Sequence, residues 1–314
     1  MSNKKITAVI ACYNDEKAIP EMYERLISVF NKIKIDYEII FVNDGSPDNS
    51  QRVIKDICLK DHNVTGILHS RNFNSQNAFT SGMKKAKGDA IILLDGDLQD
   101  PPEIIEKFYN EWNKGYDVVY GIRTKREANL FINFAYKIFY RLFNKLSDIK
   151  IPIDAGDFSL IDRKVVDAIN NIPETDRFIR GLRSWVGYKQ TGVEYFRPGR
   201  KYGKTTNNVF KNVRWAKKGI FSFSYFPLEL ISYLSYFIVF ISMCAIIWYI
   251  ALYFIYPGAP RGITTILVLV LFLGGIQILS ISILSEYIAK ILDETKQRPK
   301  FIVEKIINYK KNNQ

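Results

Sequence analysis

The sequence predicts an α/β domain on a doubly wound parallel sheet, followed by an interfacial amphipathic helix and two transmembrane helices. Three observations carry that expectation. Short apolar runs alternate with helical periodicities through the first part of the chain, as repeated strand–helix units require. Acidic loops at Asp15, Asp44 and Asp95 with Asp97 follow three of those runs, and a parallel sheet gathers such loops at one edge. Residues 230–256 and 262–285 contain no charged side chain, and each run exceeds the roughly 20 residues that cross a bilayer.

Taken in order, residues 6–11 form the first strand, and Cys12-Tyr13-Asn14-Asp15-Glu16 the loop beyond it. A helix follows, with apolar positions at Ile19, Met22, Leu26 and Val29. The second strand, 37–42, ends in Asn43-Asp44-Gly45-Ser46, a carboxylate beside a turn glycine. A helix to residue 59, a strand over 64–68, Arg71-Asn72-Phe73 and a helix near 76–86 come next. Residues 90–94 are apolar throughout, the pattern of a strand buried on both faces. They run into Asp95-Gly96-Asp97-Leu98-Gln99-Asp100-Pro101-Pro102-Glu103, where the prolines suit a helix's first turn. Oxygen donors at a strand's C-terminal end suit Mg²⁺ or Mn²⁺ bridging to substrate phosphates.

A strand over 117–121 precedes the basic run Arg123-Thr124-Lys125-Arg126. Residues 130–146 read as a helix whose Phe131, Phe134, Phe139 and Phe143 pack or meet lipid. Ile153-Asp154-Ala155-Gly156-Asp157-Phe158 reads as a second acidic turn, with a short or edge strand starting at Ser159. The loop 197–206 is basic and punctuated by Gly199 and Gly203, a composition able to wrap a phosphate. Over 208–221, Val209, Val213, Ala216 and Ile220 form one stripe, with Lys211, Arg214 and Lys218 opposite. That is the pattern of a helix lying in a membrane interface.

Cations flank the two uncharged runs unequally. Lys211, Arg214, Lys217 and Lys218 precede the first, Lys290, Lys296, Arg298 and Lys300 follow the second, and the turn between them holds only Arg261. Positive-inside reasoning then puts the N-terminal domain and the tail in the cytoplasm, with only the turn between the two runs outside. The expected organisation is a cytoplasmic α/β domain over 1–207, an interfacial helix and linker over 208–228, a membrane hairpin over 229–290 and a cytoplasmic basic tail over 291–314. The protein is thus expected to be multi-pass in the cell (inner or plasma) membrane. The polar start of the chain carries no expected signal peptide.

The net charge of +12 points to anionic partners. No helix-turn-helix, zinc-finger or RNA-recognition signature accompanies it, so nucleic acid is not among the expected partners. The three cysteines, Cys12, Cys58 and Cys244, have no paired spacing, which argues for reduced thiols and against a disulfide frame or zinc site.

These residues resemble the family 2 glycosyltransferases of GT-A (Rossmann-like) fold, specifically polyprenyl-phosphate glycosyltransferases such as bactoprenol glucosyltransferase and dolichol-phosphate mannose synthase. Tyr13-Asn14-Asp15-Glu16, Asn43-Asp44-Gly45-Ser46, the Asp95–Pro102 string, Ala155-Gly156-Asp157-Phe158, Arg177-Phe178-Ile179-Arg180-Gly181-Leu182 and the paired spans carry the resemblance. Ala11 stands where that family often has proline, Asn74-Ser75 replaces a Gly-Lys or Gly-His pair, and Lys204-Thr205-Thr206 replaces Glu-Ser-Lys. The resemblance implies inverting transfer of a sugar, glucose ahead of others, from a nucleoside diphosphate (UDP ahead of GDP) to a polyprenyl phosphate. It implies that Asp44 holds the base, that Tyr13, Asn14 and Asp15 hold the nucleoside with Asp95, and that Asp97 and Gln99 hold Mg²⁺ or Mn²⁺. Asp157 would be the catalytic carboxylate, and Arg200 and Lys204 would meet the acceptor phosphate. The two histidines, His62 and His69, read as structural or exposed. The lipid bilayer is the other expected partner, and a homo-oligomer is left open. Two rivals share an acidic α/β core: transfer to a polysaccharide or glycolipid hydroxyl, and nucleotidyl transfer. A processive synthase carries Q-x-x-R-W, which the nearest string, Arg180-Gly181-Leu182-Arg183-Ser184-Trp185, does not match.

Overall fold

The computed structural model describes residues 4–124, 152, 155–202, 224–255 and 262–308. Strands β1 (Lys5–Cys12), β2 (Asp36–Asn43), β3 (Val64–His69) and β4 (Ala90–Asp95) alternate with helices α1 (Ala18–Ile33), α2 (Ser50–Lys60) and α3 (Ser75–Lys85). A 3₁₀ turn at Pro102–Ile104 opens α4 (Ile105–Asn113), as the two prolines lead one to expect. Then follow β5 (Val118–Arg123), β6 (Ala155–Asp162), α5 (Arg163–Asn171), α6 (Ile179–Trp185) and β7 (Gln190–Tyr195). Two long helices, α7 (Phe226–Ile255) and α8 (Ile263–Thr295), lead to a last strand, β8 (Val303–Asn308).

The strands form one eight-stranded sheet in the order β7-β5-β6-β4-β1-β2-β3-β8. β1 to β4 are mutually parallel, as the alternation of strands and helices predicts. The sheet is nevertheless mixed, because β6 runs antiparallel to both β4 and β5, and β8 antiparallel to β3. Ile10, Met22, Ile54 and Phe108 pack on one face with α1, α2 and α4; Val9, Phe79, Val165 and Ile179 pack on the other with α3, α5 and α6.

The expected acidic turn over 153–158 is corrected for the part described. β6 begins at Ala155, so Asp157 stands within a strand; Asp154 lies outside the described residues. Nor is this a short or edge strand. Phe158 and Leu160 reach one core and Ile161 the other, so β6 is buried on both faces between β4 and β5.

α7 and α8 are long and apolar enough to cross a membrane, and the side chains of their apolar windows, Phe226–Ala245 and Phe272–Thr295, are not buried. At a rise of about 1.5 Å per residue, each is longer than the hydrocarbon core of roughly 30 Å. Such rods bury their apolar surface only in lipid, so the protein associates with a membrane. Tyr287 Oη donates to the Ser224 carbonyl at 3.0 Å, tying α8 to the start of α7. At the other end of α8, Glu294 accepts from the Thr175 N–H at 2.8 Å and from its hydroxyl at 2.8 Å. This contact docks the helix on the loop between α5 and α6. The phenylalanine-rich stretch 130–146, the amphipathic stretch 208–221 and the turn 257–261 lie outside the described residues.

Candidate active site

Parallel strands deliver their C-terminal loops to one edge, and the register shows which residues meet there. Cys12 pairs with Asn43, and Ala11 with Asp95, so the loops after β1, β2 and β4 leave the sheet side by side. Because β6 is antiparallel, its N-terminal end lies at that same edge. Leu93 pairs with Ser159 at the end of that ladder, and beyond it Asp157 comes close enough for its charge to raise Asp95. The two acidic motifs thus converge although 62 positions separate Asp95 from Asp157 in the chain.

On the β2 side, Asp44 is buried, and its Oδ1 accepts from the Phe73 N–H at 2.9 Å and bonds His69 Nδ1 at 2.8 Å. His69 Nε2 reaches Ser81 Oγ at 2.9 Å, and its ring stacks on Phe301 with centroids 5.4 Å apart. Of the two readings offered for the histidines, His69 is therefore the structural one and His62 the exposed one. What went unread was His69's contact with a site carboxylate. The available signal was its place at the end of β3, the strand beside β2. The Ser70 N–H donates to the Ile302 carbonyl at 3.1 Å, so the tail that brings Phe301 is continuous with β8.

On the β1 side, Asn14 takes a left-handed conformation (φ 60°), which an asparagine adopts more readily than most side chains. Its N–H donates to Ser46 Oγ at 2.8 Å, and Ser46 Oγ donates to Asp48 Oδ1, lacing the first two loops together. Tyr13 is partly exposed above them, and its N–H donates to Asp15 Oδ2 at 2.9 Å. Burial raises the Asp15 carboxyl to about 6, against the pull of that hydrogen bond and of Arg200. Gly96 is required here: a Cβ would stand 2.9 Å from Asp15 Oδ2 and 3.0 Å from the Ala11 carbonyl.

The loop after β4 turns back through Leu98, left-handed at φ 61° with its side chain buried. A leucine in that region costs on the order of 1–2 kcal/mol, which the packing of Leu98 offsets. The turn lets the Gln99 N–H donate to Asp97 Oδ1 at 3.1 Å, while Gln99 Nε2 donates to the Pro198 carbonyl at 3.3 Å. Asp95 is raised by desolvation and by the charges of Asp100, Asp97 and Asp157, with Arg197 opposing. Arg197 stands 3.9 Å from Asp95 and 3.7 Å from Asp100; Arg200 stands 3.1 Å from Asp15 and 3.9 Å from Asp97. Asp100 also accepts from Tyr195 Oη at 2.6 Å. The basic loop after β7 is thus folded onto the acidic edge. Arg200, read in the sequence as an acceptor-phosphate residue, borders the carboxylates expected to hold the donor. Lys204 lies outside the described residues.

Asp157 is mostly buried; its Oδ2 accepts from Gln76 Nε2 at 3.0 Å, and its Oδ1 lies 3.4 Å from Arg180 Nε. Arg183, one turn along α6 from Arg180, is fully buried over the Tyr120 ring, and its guanidinium nitrogens make no hydrogen bond among the described residues. Burial lowers it to about 10, against the attraction of Asp157. Gln76, Arg180, Arg183, Arg197 and Asp100 were not singled out from the sequence as site residues. Their roles depend on chain segments brought together from far apart.

Among the described residues no group of three His, Cys, Asp or Glu is arranged as a metal site. The donor chemistry is nonetheless that of a hard cation: Asp95 and Asp97 are oxygen donors in a crowd of like charges, and Gln99 adds an amide oxygen.

The pattern of Glycosyl transferase family 2 matches residues 7–169. The uncharacterized glycosyltransferase YkcC of Bacillus subtilis (strain 168) is 43% identical over 300 residues, 95% of this chain and 92% of that protein. The prophage bactoprenol glucosyl transferase homolog of Escherichia coli (strain K12) is 39% identical over 304 residues, 96% of this chain and 99% of that protein. The bactoprenol glucosyl transferase of Shigella phage SfII is 38% identical over 303 residues, 96% of this chain and 98% of its own length. The mixed sheet with its acidic edge is the GT-A architecture that the resemblance implies. From the matched pattern and these near full-length relatives, the chain belongs to glycosyl transferase family 2.

Proposed function

We propose that the protein transfers glucose, with inversion, from a nucleoside diphosphate (UDP in preference to GDP) to a polyprenyl phosphate at the cytoplasmic face of the membrane. The observation that carries this reading is the antiparallel β4–β6 pairing, which brings Asp157 near Asp95 at the edge where the loops after β1 and β2 also end. The likeness to bactoprenol glucosyl transferases over 96% of the chain supports the choice of sugar and lipid. It also disfavours a hydroxyl acceptor and nucleotidyl transfer.

In this reading Asp44 holds the base, and Tyr13, Asn14 and Asp15 hold the nucleoside with Asp95. Asp97 and Gln99, supported by Asp95, hold Mg²⁺ or Mn²⁺. When bound, that cation acts as a Lewis acid on the leaving diphosphate. The bond from the sugar's anomeric carbon to the diphosphate breaks, and its electron pair leaves with the nucleoside diphosphate. An acceptor phosphate oxygen forms the new bond on the opposite face. A phosphate monoester's second pKa is about 6, so the nucleophile is already anionic and needs little proton removal. Asp157 then serves to orient the attack. Arg200 and Lys204 hold the acceptor phosphate; Arg200's place beside Asp15 and Asp97 would bring that phosphate next to the donor. The stretch 208–221 lies in the interface, and α7 and α8 both span, with the catalytic domain cytoplasmic.

The test is a panel of nucleotide-sugars offered with polyprenyl phosphate and either Mg²⁺ or Mn²⁺, with lipid products read by mass spectrometry. Hexosyl-phosphoryl-polyprenol with release of nucleoside diphosphate is expected. Pyrophosphate release, or sugar found only on a hydroxyl acceptor, would overturn the proposal.

A further inference from the structure

We infer that Gln76 positions the Asp157 carboxylate for transfer, an inference that rests on the reading of Asp157 as the group that orients the acceptor. Gln76 lies in the first turn of α3 and is only 1% exposed. Its Oε1 accepts from the Ile179 N–H at 2.7 Å, and its Nε2 donates to Asp157 Oδ2 at 3.0 Å.

The direction of these bonds follows from chemistry. A backbone N–H can only donate, so the carbonyl end of the Gln76 amide must face Ile179. The NH₂ end must then face Asp157, and because it too can only donate, Asp157 Oδ2 is the acceptor of that bond. The other carboxylate oxygen, Oδ1, is buried, makes no hydrogen bond among the described residues and stands 3.4 Å from the Arg180 guanidinium. Gln76 on one oxygen and Arg180 on the other hold the Asp157 carboxyl group in a single orientation, with the charge of Arg183 behind it.

Gln76 therefore spans three elements. It belongs to α3, caps the first turn of α6 and restrains a strand residue of β6. Capping Ile179 requires an acceptor alone. The donor end of the amide is explained only by Asp157, so a carboxylate side chain of the same length separates the two tasks.

Gln76→Glu keeps an acceptor for Ile179 and, assayed towards alkaline pH where the two facing carboxyls no longer share a proton, removes the donor to Asp157. The turnover of this variant should fall by roughly 10²-fold, the range of a mispositioned reacting group, while donor KM and calorimetric donor affinity stay within about threefold. Gln76→Met removes both bonds at similar volume and should show the same kcat loss with a lower melting temperature. In an Asp157→Asn background Gln76→Met should cost less than about threefold more, since two residues acting through one group do not add. Wild-type kcat in Gln76→Glu would reduce Gln76 to a helix cap and overturn the inference. So would full additivity in the double variant, which also decides the matter if Gln76→Glu does not fold. If Asp157→Asn alone turned over normally, the reading of Asp157 would fall instead. A slow Asp157→Asn beside a fast Gln76→Glu would sink the inference and leave that reading standing.

Discussion

Replacing His69 by Phe tests whether the β2 edge is the nucleoside site. The substitution keeps a planar ring to stack on Phe301 and to meet Phe73 edge-on, and removes the bonds to Asp44 Oδ1 and Ser81 Oγ. Asp44, itself only 3% exposed, keeps the Phe73 N–H as a donor to that oxygen. A buried hydrogen bond to a charged group is worth about 1.5–3 kcal/mol, so stability should drop by about 2 kcal/mol. For a domain of this size that corresponds to a fall in Tm of roughly 4–8 °C. If about 1.4 kcal/mol of the same loss appears in base recognition through a less restrained Asp44, the Kd for UDP-glucose rises about tenfold. The assays are thermal unfolding in detergent and calorimetric titration of donor with Mg²⁺, with kcat at saturating donor expected to stay near wild type. A lowered Tm with unchanged donor affinity would refute the link from His69 through Asp44 to the base. An unchanged Tm would show that the His69–Asp44 bond holds nothing in place.

Three further outcomes are expected. Asp97→Ala should weaken metal-dependent donor binding and turnover together, whereas Asp157→Asn should lose roughly 10²-fold in turnover at nearly unchanged donor affinity; equal loss of donor binding in both would erase the division between donor and acceptor sides. In sealed inside-out vesicles, protease should remove the catalytic domain and the tail beyond Lys290, and protection of both would reverse the proposed orientation. Replacing Lys211, Arg214 and Lys218 by Glu should reduce activity on acceptor in anionic liposomes by about 1 kcal/mol per residue, leaving donor binding in detergent intact; unchanged liposome activity would make the 208–221 stretch a plain linker.

Several features were legible in the chain itself, because their causes are local. The apolar run over 90–94 forms a strand wherever it is buried on both faces, and an Asp directly after it must stand at the strand's end. The two long apolar helices are legible because a stretch of more than roughly 20 residues with no charge satisfies its backbone in lipid only as a helix. Loops such as Asn43-Asp44-Gly45-Ser46 are local for the same reason: turn residues choose their own backbone conformation.

Strand direction and partner choice are not local, and tertiary structure alone decided them. Residues 155–162 hold no signal that they insert antiparallel beside β4, yet that insertion is what brings Asp157 near Asp95. Val303–Asn308 sits in a stretch that reads as a basic tail, but Ile307 closes the core beside Gly66 and brings Phe301 onto His69. Gln76 reads as an ordinary helix residue, because its partners lie 81 and 103 positions away. Its amide becomes informative only when both ends are buried, where an unmatched donor or acceptor costs about 1–3 kcal/mol and the two partners leave it a single orientation.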